Sequence, residues 1–492
     1  MNLMRLLNTI LHLKYTQIVF QVKNRLIKPR YIELQAPRHR LVVLKTSFLL
    51  KCASLDGDVF TFLNRSYKFR DWDDTKNGTL FTYNQNYFDF INAGNLSIEK
   101  SCEWIDRFID AAPSLSWGMD PYPIALRTIN WMKFFCMHPD TITAEREDSL
   151  WSQLCILKKK MEYHLLGNHL LEDAFALYIG GCFFNNTILK KKIYTLLIEQ
   201  LKEQTLDDGA HFEQSPMYHC ILLERLLDCI NFGPDKELKI FAQNQLGWLD
   251  AICYKDGSWP LFNDSALGIA PSPSEIFDYA KRLGLSWSKT RLSDSGYRKL
   301  NSKHLELVAD VGNVKAVYQP GHTHADALNY ELRIDGIPVV IDTGISTYNK
   351  TPRRQYERSS IAHNVVVREG ATSDSSDCCY EVWGGFRVGR RCMTKILLDS
   401  SNELVAEHNG FKSPCKRRWS VHNDTLIVED YFQGKGVSYI HLASGVSLDR
   451  VKVEGADKVE ILDTQYSIMY NKYITNKTLA IHFTNKVSYS IS

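Results

Sequence analysis

The residues most able to do chemistry lie in a polar run from Asp207 to His219. Within thirteen positions this run holds two aspartates, two histidines, a glutamate and a tyrosine, more polar groups than a simple helix connection requires. Tyr218 follows Ser215 and Pro216, which suit the cap and the first position of a helix. At a helix start, the positive end of the dipole and a cationic neighbour can shift a phenol towards acid or base work. The alternative is a half-buried tyrosine whose hydroxyl is simply hydrogen-bonded.

A second cluster, Gly167-Asn168-His169, opens a predicted helix that also carries Glu172 and Asp173. Asparagine before a helix is ordinarily a cap, and a histidine there is more often a structural hydrogen-bonding residue than a catalyst. We therefore keep Asn168 and His169 as candidate site residues beside this structural interpretation.

Two further clusters offer ligands for a metal. His322 and His324 lie two positions apart, and in an extended chain such residues point the same way and can serve one site. With Asp342 and His363 they supply three or four nitrogen and oxygen ligands, a set that zinc accepts. A histidine-rich hydrogen-bond network is the competing interpretation.

Arginines lie between those ligands along the chain. Arg354 and Arg358 stand between Asp342 and His363. A guanidinium can bind a carboxylate bidentately, so both arginines suit a substrate that carries uronate groups. Either can instead pair with an acidic residue such as Glu357.

These clusters must be positioned by two different kinds of structure. From Ser101 to Leu285 the apolar residues recur at helical spacing, for example over Leu150–Leu166, whereas after about residue 300 the period changes to two. Asp335-Gly336 separates two strand-like runs and is typical of a tight hairpin, because both central residues need positive φ. A chain of 492 residues also exceeds one ordinary core. We predict an extension packing on the body over 1–75, a helical domain over 76–295 and a β domain over 300–492.

Composition narrows the function classes. The formal net charge is only +3, so no whole-chain field favours nucleic acid as a partner. The 12 cysteines show no paired CxxC spacing, which disfavours a zinc ribbon or a redox motif. The sequence contains no stretch of about 18 uncharged apolar residues, so no transmembrane segment is predicted.

The N-terminal segment Met1–Pro37 mixes short apolar runs with basic residues and lacks the pattern of an export signal. With its scattered cysteines, the chain is therefore expected in the cytoplasm, with the periplasm as the alternative. We expect this segment to pack against the body, and an amphipathic helix on a membrane surface is the alternative.

Seven ordered strings resemble the heparinase II/III-like polysaccharide lyases, of the type found in surface-polysaccharide gene clusters, over about residues 83–386. The strings are WGMDPYPIALRTINW (Trp117–Trp131), GNHLLEDAFAL (Gly167–Leu177), DGAHFEQSPMYH (Asp208–His219), FNDSA (Phe262–Ala266), GHTHADAL (Gly321–Leu328), VVIDTGISTY (Val339–Tyr348) and RSSIAHNVV (Arg358–Val366). The resemblance implies an α+β multidomain fold, with an N-terminal incomplete α/α toroid followed by a C-terminal antiparallel β-sandwich and the site between them. One departure is Asn86, where the family pattern leads us to expect a histidine.

The resemblance also implies residue roles. Catalytic roles fall on Asn168, His169, Tyr218, His322 and Tyr348. Asn168 would neutralise the substrate carboxylate with help from His169, Tyr218 would be the central acid or base, and His322 the second. The ligands of a structural zinc would be His324, Asp342 and His363, with no organic cofactor. Candidate substrate contacts are Trp117, Tyr122, Arg127, Glu213, Arg354 and Arg358.

The implied activity is cleavage of an acidic, uronate-containing polysaccharide by β-elimination, which leaves a 4,5-unsaturated product. A homodimer is left open. Three alternatives remain. One is a glycoside hydrolase that uses carboxylate pairs among Asp207, Asp208, Glu213 and Asp264. The others are a metal-dependent oxygenase with a His-x-His motif, and a non-degradative binding or modifying protein in O-antigen or capsule assembly.

Overall fold

The computed structural model describes residues 3–27, 29–40, 42–44, 49, 54–373, 379–411 and 413–492, so parts of the predicted 1–75 extension lie outside the described residues. The helices are α1 Leu3–Ile10, α2 Tyr15–Leu26, α3 Thr79–Tyr87, α4 Ile98–Ala111, α5 Pro121–Met137, α6 Ala144–Lys160, α7 Gly167–Phe183, α8 Thr187–Gln204, α9 Pro216–Phe232, α10 Lys236–Ile252, α11 Pro273–Arg282 and α12 Pro352–Arg358. The strands are β1 Leu55–Asp56, β2 Val59–Phe62, β3 Arg65–Lys68, β4 Tyr297–Asn301, β5 Leu305–Asp310, β6 Asn329–Ile334, β7 Ile337–Val340, β8 Val366–Arg368, β9 Val382–Trp383, β10 Arg387–Val388, β11 Thr394–Asp399, β12 Glu403–His408, β13 Cys415–His422, β14 Thr425–His441, β15 Val451–Glu454, β16 Lys458–Met469 and β17 Lys472–Ile491.

The helical part is an incomplete toroid of two layers. Helices α3, α5, α7, α9 and α11 contact one another in that order, while α4 contacts α6 and α8 contacts α10 on the outside. Nearly every residue of α5, α7 and α9 is buried. This fits sequences that are apolar around most of the helix circumference. The predicted N-terminal toroid is confirmed.

The C-terminal part consists of antiparallel sheets. A four-stranded sheet has the order β4-β5-β6-β7, and an eight-stranded sheet runs β11-β12-β13-β14-β17-β15 with β8 on β14 and β16 on β17. Leucines 305, 307 and 332 of the first sheet pack with Trp419 and Ile481 of the second in one hydrophobic cluster. Two sheets that share a core in this way form the predicted sandwich.

Local sequence signals explain several element ends. The Ser215 hydroxyl accepts a hydrogen bond from the backbone N–H of Tyr218 at 3.2 Å, as expected of the cap of α9. Asp335 and Gly336 adopt φ values of 52° and 77° between β6 and β7, which confirms the hairpin. The predicted helix over Leu150–Leu166 is too long, because α6 ends at Lys160.

The N-terminal helices rest on both domains. The Gln17 side chain of α2 donates to the carbonyl oxygens of Leu165 and Tyr318, at 3.1 and 3.3 Å. Arg5 of α1 pairs with Glu381 at 2.9 Å. Within the described ranges, no helix is long and apolar enough to cross a membrane.

Candidate active site

A cavity of about 900 Å³ lies between the toroid and the β domain. Its wall includes residues of α1, α2, α3, α5, α7 and α9 and of the β-domain loops around residues 317–322, 348–350 and 386–391. All five predicted catalytic residues line it: Asn168, His169, Tyr218, His322 and Tyr348. Helix starts and loops from both domains therefore bring together side chains that are far apart in sequence.

Tyr218 lies between an imidazole and a second phenol. The rings of Tyr218 and His322 stack with centroids 3.8 Å apart and an interplanar angle of 19°. The Tyr348 hydroxyl donates to the Tyr218 oxygen at 3.2 Å. Burial raises the pKa of Tyr218 above its ordinary value, and the bond from Tyr348 opposes that rise. Tyr218 is therefore a neutral phenol that can give its own proton to a bound group.

Glu213 joins the two domains at this site. One carboxylate oxygen lies 2.6 Å from Nδ1 of His322, and the two oxygens accept from the backbone and side-chain N–H of Asn168 at 3.0 Å each. Burial alone would raise the pKa of Glu213, but the charge of His322 and these bonds lower it to about 2. Because an ionised carboxylate only accepts, Nδ1 of His322 carries the proton of this bond, and in the neutral imidazole the other ring nitrogen, Nε2, is the acceptor.

This arrangement changes the role of Glu213. It was expected to contact substrate, but its side chain is buried and does not line the cavity. Gly167 lies against the Glu213 carboxylate, although the two are far apart in the sequence. The φ of Gly167 is +57°, and a Cβ added there would come within 2.7 Å of that carboxylate. A glycine at 167 lets the start of α7 approach Glu213 closely. Glu213 therefore positions Asn168 and His322.

Glu162 favours the cationic form of His169. Nδ1 of His169 lies 2.9 Å from the Glu162 carboxylate. Burial lowers the pKa of His169, but the charge of Glu162 outweighs burial and the net shift is upward. The ring of Tyr122, a predicted substrate contact, packs against His169 with centroids 4.9 Å apart and lines the cavity.

The arginines predicted to bind substrate do other work. Arg354 makes a bidentate ion pair with Asp264 at 2.5 and 2.7 Å, and Arg358 donates to the carbonyl oxygen of Thr323 at 2.7 Å. Both are fully buried and neither lines the cavity. The prediction of direct contacts is wrong for both, because each guanidinium is consumed by a protein partner. Asp264 also donates its backbone N–H to the His322 carbonyl oxygen at 3.1 Å, so this pair braces the loop that carries His322.

Two predicted contacts on the helical side are also displaced from the cavity. Arg127 is buried, and it donates to the Asn86 carbonyl oxygen at 3.0 Å in the toroid core. Trp117 is partly exposed, and its ring lies 6.1 Å from that of Tyr83 without lining the cavity. Arg127 is thus a structural residue, and Tyr83 takes the place at the wall that was expected of Trp117.

Family comparisons place these motifs in context. Residues 152–268 match the family described as heparinase II/III N-terminus, and residues 285–472 match heparinase II/III-like, C-terminal. Together the two matches cover more than half of the sequence. The chain belongs to the heparinase II/III-like family.

Individual relatives are distant from this heparinase II/III-like chain. A heparin-sulfate lyase of Bacteroides stercoris is 20% identical over 322 residues, which are 57% of this chain and 46% of that protein. A probable transcriptional regulatory protein of Mycoplasma genitalium is 26% identical over 127 residues, 24% of this chain and 51% of that protein. The chain thus spans about half the length of the curated relatives it matches.

Solved structures agree with the fold of the heparinase II/III-like chain. A crystal structure of heparinase III superposes with a TM-score of 0.60 at 15% identity, over 84% of this chain and 76% of the other. At that identity the likeness concerns the fold, which confirms the toroid and sandwich.

Several residues at the cavity wall were not predicted. Tyr83 and Tyr470 line it, as do the basic side chains of Lys350, Arg387 and Arg391. None stands in a motif with chemical spacing, and only the folding of the β-domain loops brings the three cations to one wall. On the β-domain side of the cavity these cations favour an anionic ligand.

A buried cluster of two carboxylates and an imidazole, separate from the cavity, could hold a metal ion. Donor atoms of Asp326, Asp342 and His363 lie within 4.8 Å of one another in the interior. Oδ2 of Asp326 and Nε2 of His363 have no hydrogen-bond partner among the described residues, as expected of atoms that serve a metal.

His324, which was also predicted as a ligand, lies beside this cluster with its ring centroid 5.2 Å from that of His363, and Asp326 is a ligand candidate that was not predicted. Nε2 of His324 instead lies 2.8 Å from the Asp264 carboxylate, while its Nδ1 is buried without a partner in the described part of the chain. His322 faces the cavity and His324 the interior, because residues 321–328 form turns and not an extended strand. The two histidines therefore do not share one site.

Proposed function

We propose that this protein is a polysaccharide lyase that cleaves a uronate-containing polysaccharide by β-elimination. The observation that supports it best is the stacked pair of Tyr218 and His322 at the cavity wall, each held by a second side chain, Tyr348 and Glu213. An elimination needs a base and an acid close together, and this pair supplies both. The heparin-sulfate lyase relative agrees with this class of reaction.

The chemistry begins at C5 of the uronate. Its proton is acidic because it is α to a carboxylate, and its removal develops negative charge on that carboxylate. Nε2 of His322 takes the C5 proton, the electrons form the C4–C5 double bond, the C4–oxygen bond breaks, and Tyr218 protonates the leaving oxygen. His169 is the alternative base for the same epimer, with Tyr218 again the acid, whereas on the opposite epimer Tyr218 would first give up its proton and then act from one face as both base and acid.

The carboxylate needs a partner that neutralises its growing charge. Asn168 spends one side-chain N–H on Glu213 and keeps the second, at the cavity wall. His169 adds positive charge, since Glu162 raises its pKa. The two side chains start the same helix, where the dipole also favours an anion. Substrate carboxylate binding at the start of α7 is therefore part of the proposal.

Three of the four candidate carboxylates of the alternative glycoside hydrolase, Asp208, Glu213 and Asp264, are already engaged. Asp208 accepts from the backbone N–H of Ser293 and Ser295 at 2.9 and 3.0 Å, and Asp264 is paired with Arg354. Neither these two nor Glu213 lines the cavity. A hydrolase needs two carboxyl groups that flank the scissile bond. This observation favours the lyase.

The buried cluster of Asp326, Asp342 and His363 would hold a structural zinc, which has a tetrahedral preference for nitrogen and oxygen donors of this kind. Such an ion would tie the loop before β6 to the segments after β7 and α12. None of its ligands reaches the cavity, so the catalytic steps use the chain's own side chains.

The test is incubation with a panel of uronate polysaccharides, followed by ultraviolet absorbance and product mass. A lyase gives an absorbing product that is lighter by one water than a hydrolysis product. Absorbance on any panel member supports the proposal. Cleavage without absorbance would support a hydrolase, and tight binding without cleavage would support a role in polysaccharide assembly.

A further inference from the structure

Helix α2 packs on the body with its polar side. Gln17 is buried, and the Asn24 side chain forms a hydrogen bond of 3.1 Å with the His164 ring. Phe20 is the main apolar residue on this side, with its ring 4.7 Å from that of Tyr163. A helix that rests on a globular core ordinarily turns its apolar stripe inward, so α2 is reversed.

The apolar stripe of α2 faces outward. Tyr15, Ile18, Val19, Val22 and Leu26 recur at helical spacing on one side, and all five are exposed. Tyr15 and Leu26 keep 81% and 79% of their surface accessible. A row of this length is more than the scattered exposed residues of an ordinary surface, and it requires a partner.

Helix α1 also carries an exposed apolar row. Leu3, Leu7, Ile10 and the following Leu11 are exposed on one side of it. We call the exposed apolar residues of the two helices the hairpin face: Leu3, Leu7, Ile10, Leu11, Tyr15, Ile18, Val19, Val22 and Leu26. The connection between the helices is only four residues long, so the two exposed rows follow each other closely along the chain.

The charged residues of the segment that carries the hairpin face have one sign, although Arg5 and Lys14 are paired with Glu381 and Glu203 of the body. Residues 1–32 contain six lysines and arginines and no aspartate or glutamate. By helical geometry Lys23 and Arg25 flank the α2 stripe on opposite sides, and both are exposed without an ion pair to any described residue. Long basic side chains at the edges of an apolar stripe can lie along it and reach anionic groups.

We propose that α1–α2 docks the protein on an anionic lipid bilayer, with the hairpin face in the interfacial region. An apolar stripe edged by cations is the pattern of helices that lie in a membrane interface. A second copy of this chain fits less well, because the two faces would bring like charges together. Leu6, Thr9 and Ile10 of α1 also line the cavity, so a docked protein holds its cavity beside the lipid surface.

Flotation of the full-length protein with lipid vesicles tests the proposal. We expect binding to vesicles of phosphatidylglycerol and phosphatidylcholine, and much weaker binding to phosphatidylcholine alone. The double variant Val22→Ser/Leu26→Ser should bind at least about tenfold more weakly, since it removes apolar contacts. Lys23→Gln/Arg25→Gln should lose roughly fivefold per charge on the anionic vesicles, and high salt should mimic this loss.

The matched control is Ile188→Ser/Ile461→Ser, which removes two exposed aliphatic side chains elsewhere on the surface. It should bind vesicles like the wild type, and thermal unfolding should show that every variant is folded. The proposal is overturned if the wild type does not float with anionic vesicles, or if the control loses as much as Val22→Ser/Leu26→Ser. It is also overturned if light scattering shows that the wild type is a dimer and that Val22→Ser/Leu26→Ser is a monomer.

Discussion

The Glu213 carboxylate lies 2.6 Å from Nδ1 of His322, and this contact links the start of α9 in the toroid to a loop of the β domain. The same carboxylate holds Asn168 at the start of α7. One buried anion thus fixes the tautomer of the proposed base and the position of the proposed carboxylate-binding amide. Both relationships are lost together if Glu213 is neutralised.

We expect Glu213→Gln to reduce kcat by about 100-fold or more and to raise KM by a smaller factor, because the substituted side chain touches no substrate but misorients both the base and the carboxylate-binding Asn168. The measurement is steady-state kinetics on the responsive polysaccharide. Asp208→Asn is the control, since Asp208 is buried nearby but does not contact the cavity. A Glu213→Gln enzyme with wild-type kcat would contradict this role.

Glu213 should also contribute to acid stability. Its folded pKa of about 2 lies below the ordinary value of 4.5, so its contribution is present above pH 4.5 and is lost as the pH falls towards 2. Between pH 6 and 3.5 this single group accounts for roughly 1 kcal/mol of unfolding free energy. Urea unfolding at both values should show that loss in the wild type and a smaller one in Glu213→Gln. Equal losses in both proteins would exclude Glu213 as the source.

Glu162 should set the alkaline limit of activity. It raises the pKa of His169, so the imidazolium persists above pH 6.5 and disappears as the pH rises through the raised value. Without Glu162, burial lowers that pKa, and Glu162→Gln should move the alkaline limb of kcat/KM to lower pH. Glu145→Gln, an exposed change on α6, should leave the profile unchanged. An unshifted limb in Glu162→Gln would show that His169 does not act as a cation.

Metal analysis tests the buried cluster. We expect purified protein to contain one zinc per chain, and Asp342→Asn to lose it with a clear fall in Tm, because buried acidic groups would be left without their cation. His408→Asn is the control, since His408 is a buried imidazole of the β domain outside the cluster. Metal-free wild-type protein with an unchanged Tm after chelation would contradict the zinc assignment.

Sequence reasoning reached the elements whose signals are local. Ser215 and Pro216 start α9 where expected, and Asp335-Gly336 makes the hairpin, because caps and turns depend on neighbouring residues alone. The sequence also placed Tyr218 and His322 in one predicted site. That prediction came from the order of the family motifs, because the spacing of the two residues does not relate them.

The errors concern side chains whose partners lie far away along the chain. Arg354 pairs with Asp264, ninety positions earlier, and nothing near either residue signals that bond. Asp326 joins the buried cluster of Asp342 and His363 only because the chain turns after His324. Glu162 lies in a loop because α6 stops at Lys160, where a longer helix was expected. Burial decides such pairings, and periodicity carries no information about them.

The most direct test of the lyase proposal is the rate of ultraviolet absorbance increase on the responsive polysaccharide for wild type, Tyr218→Phe and Tyr83→Phe. Tyr83→Phe removes a hydroxyl from the same cavity wall, where it bonds Asp120 and not the stacked pair. We predict that Tyr218→Phe, folded and still able to bind the polysaccharide, loses about 10²–10⁴-fold in rate, while Tyr83→Phe stays within a few-fold of wild type. An unchanged rate in Tyr218→Phe would contradict the account.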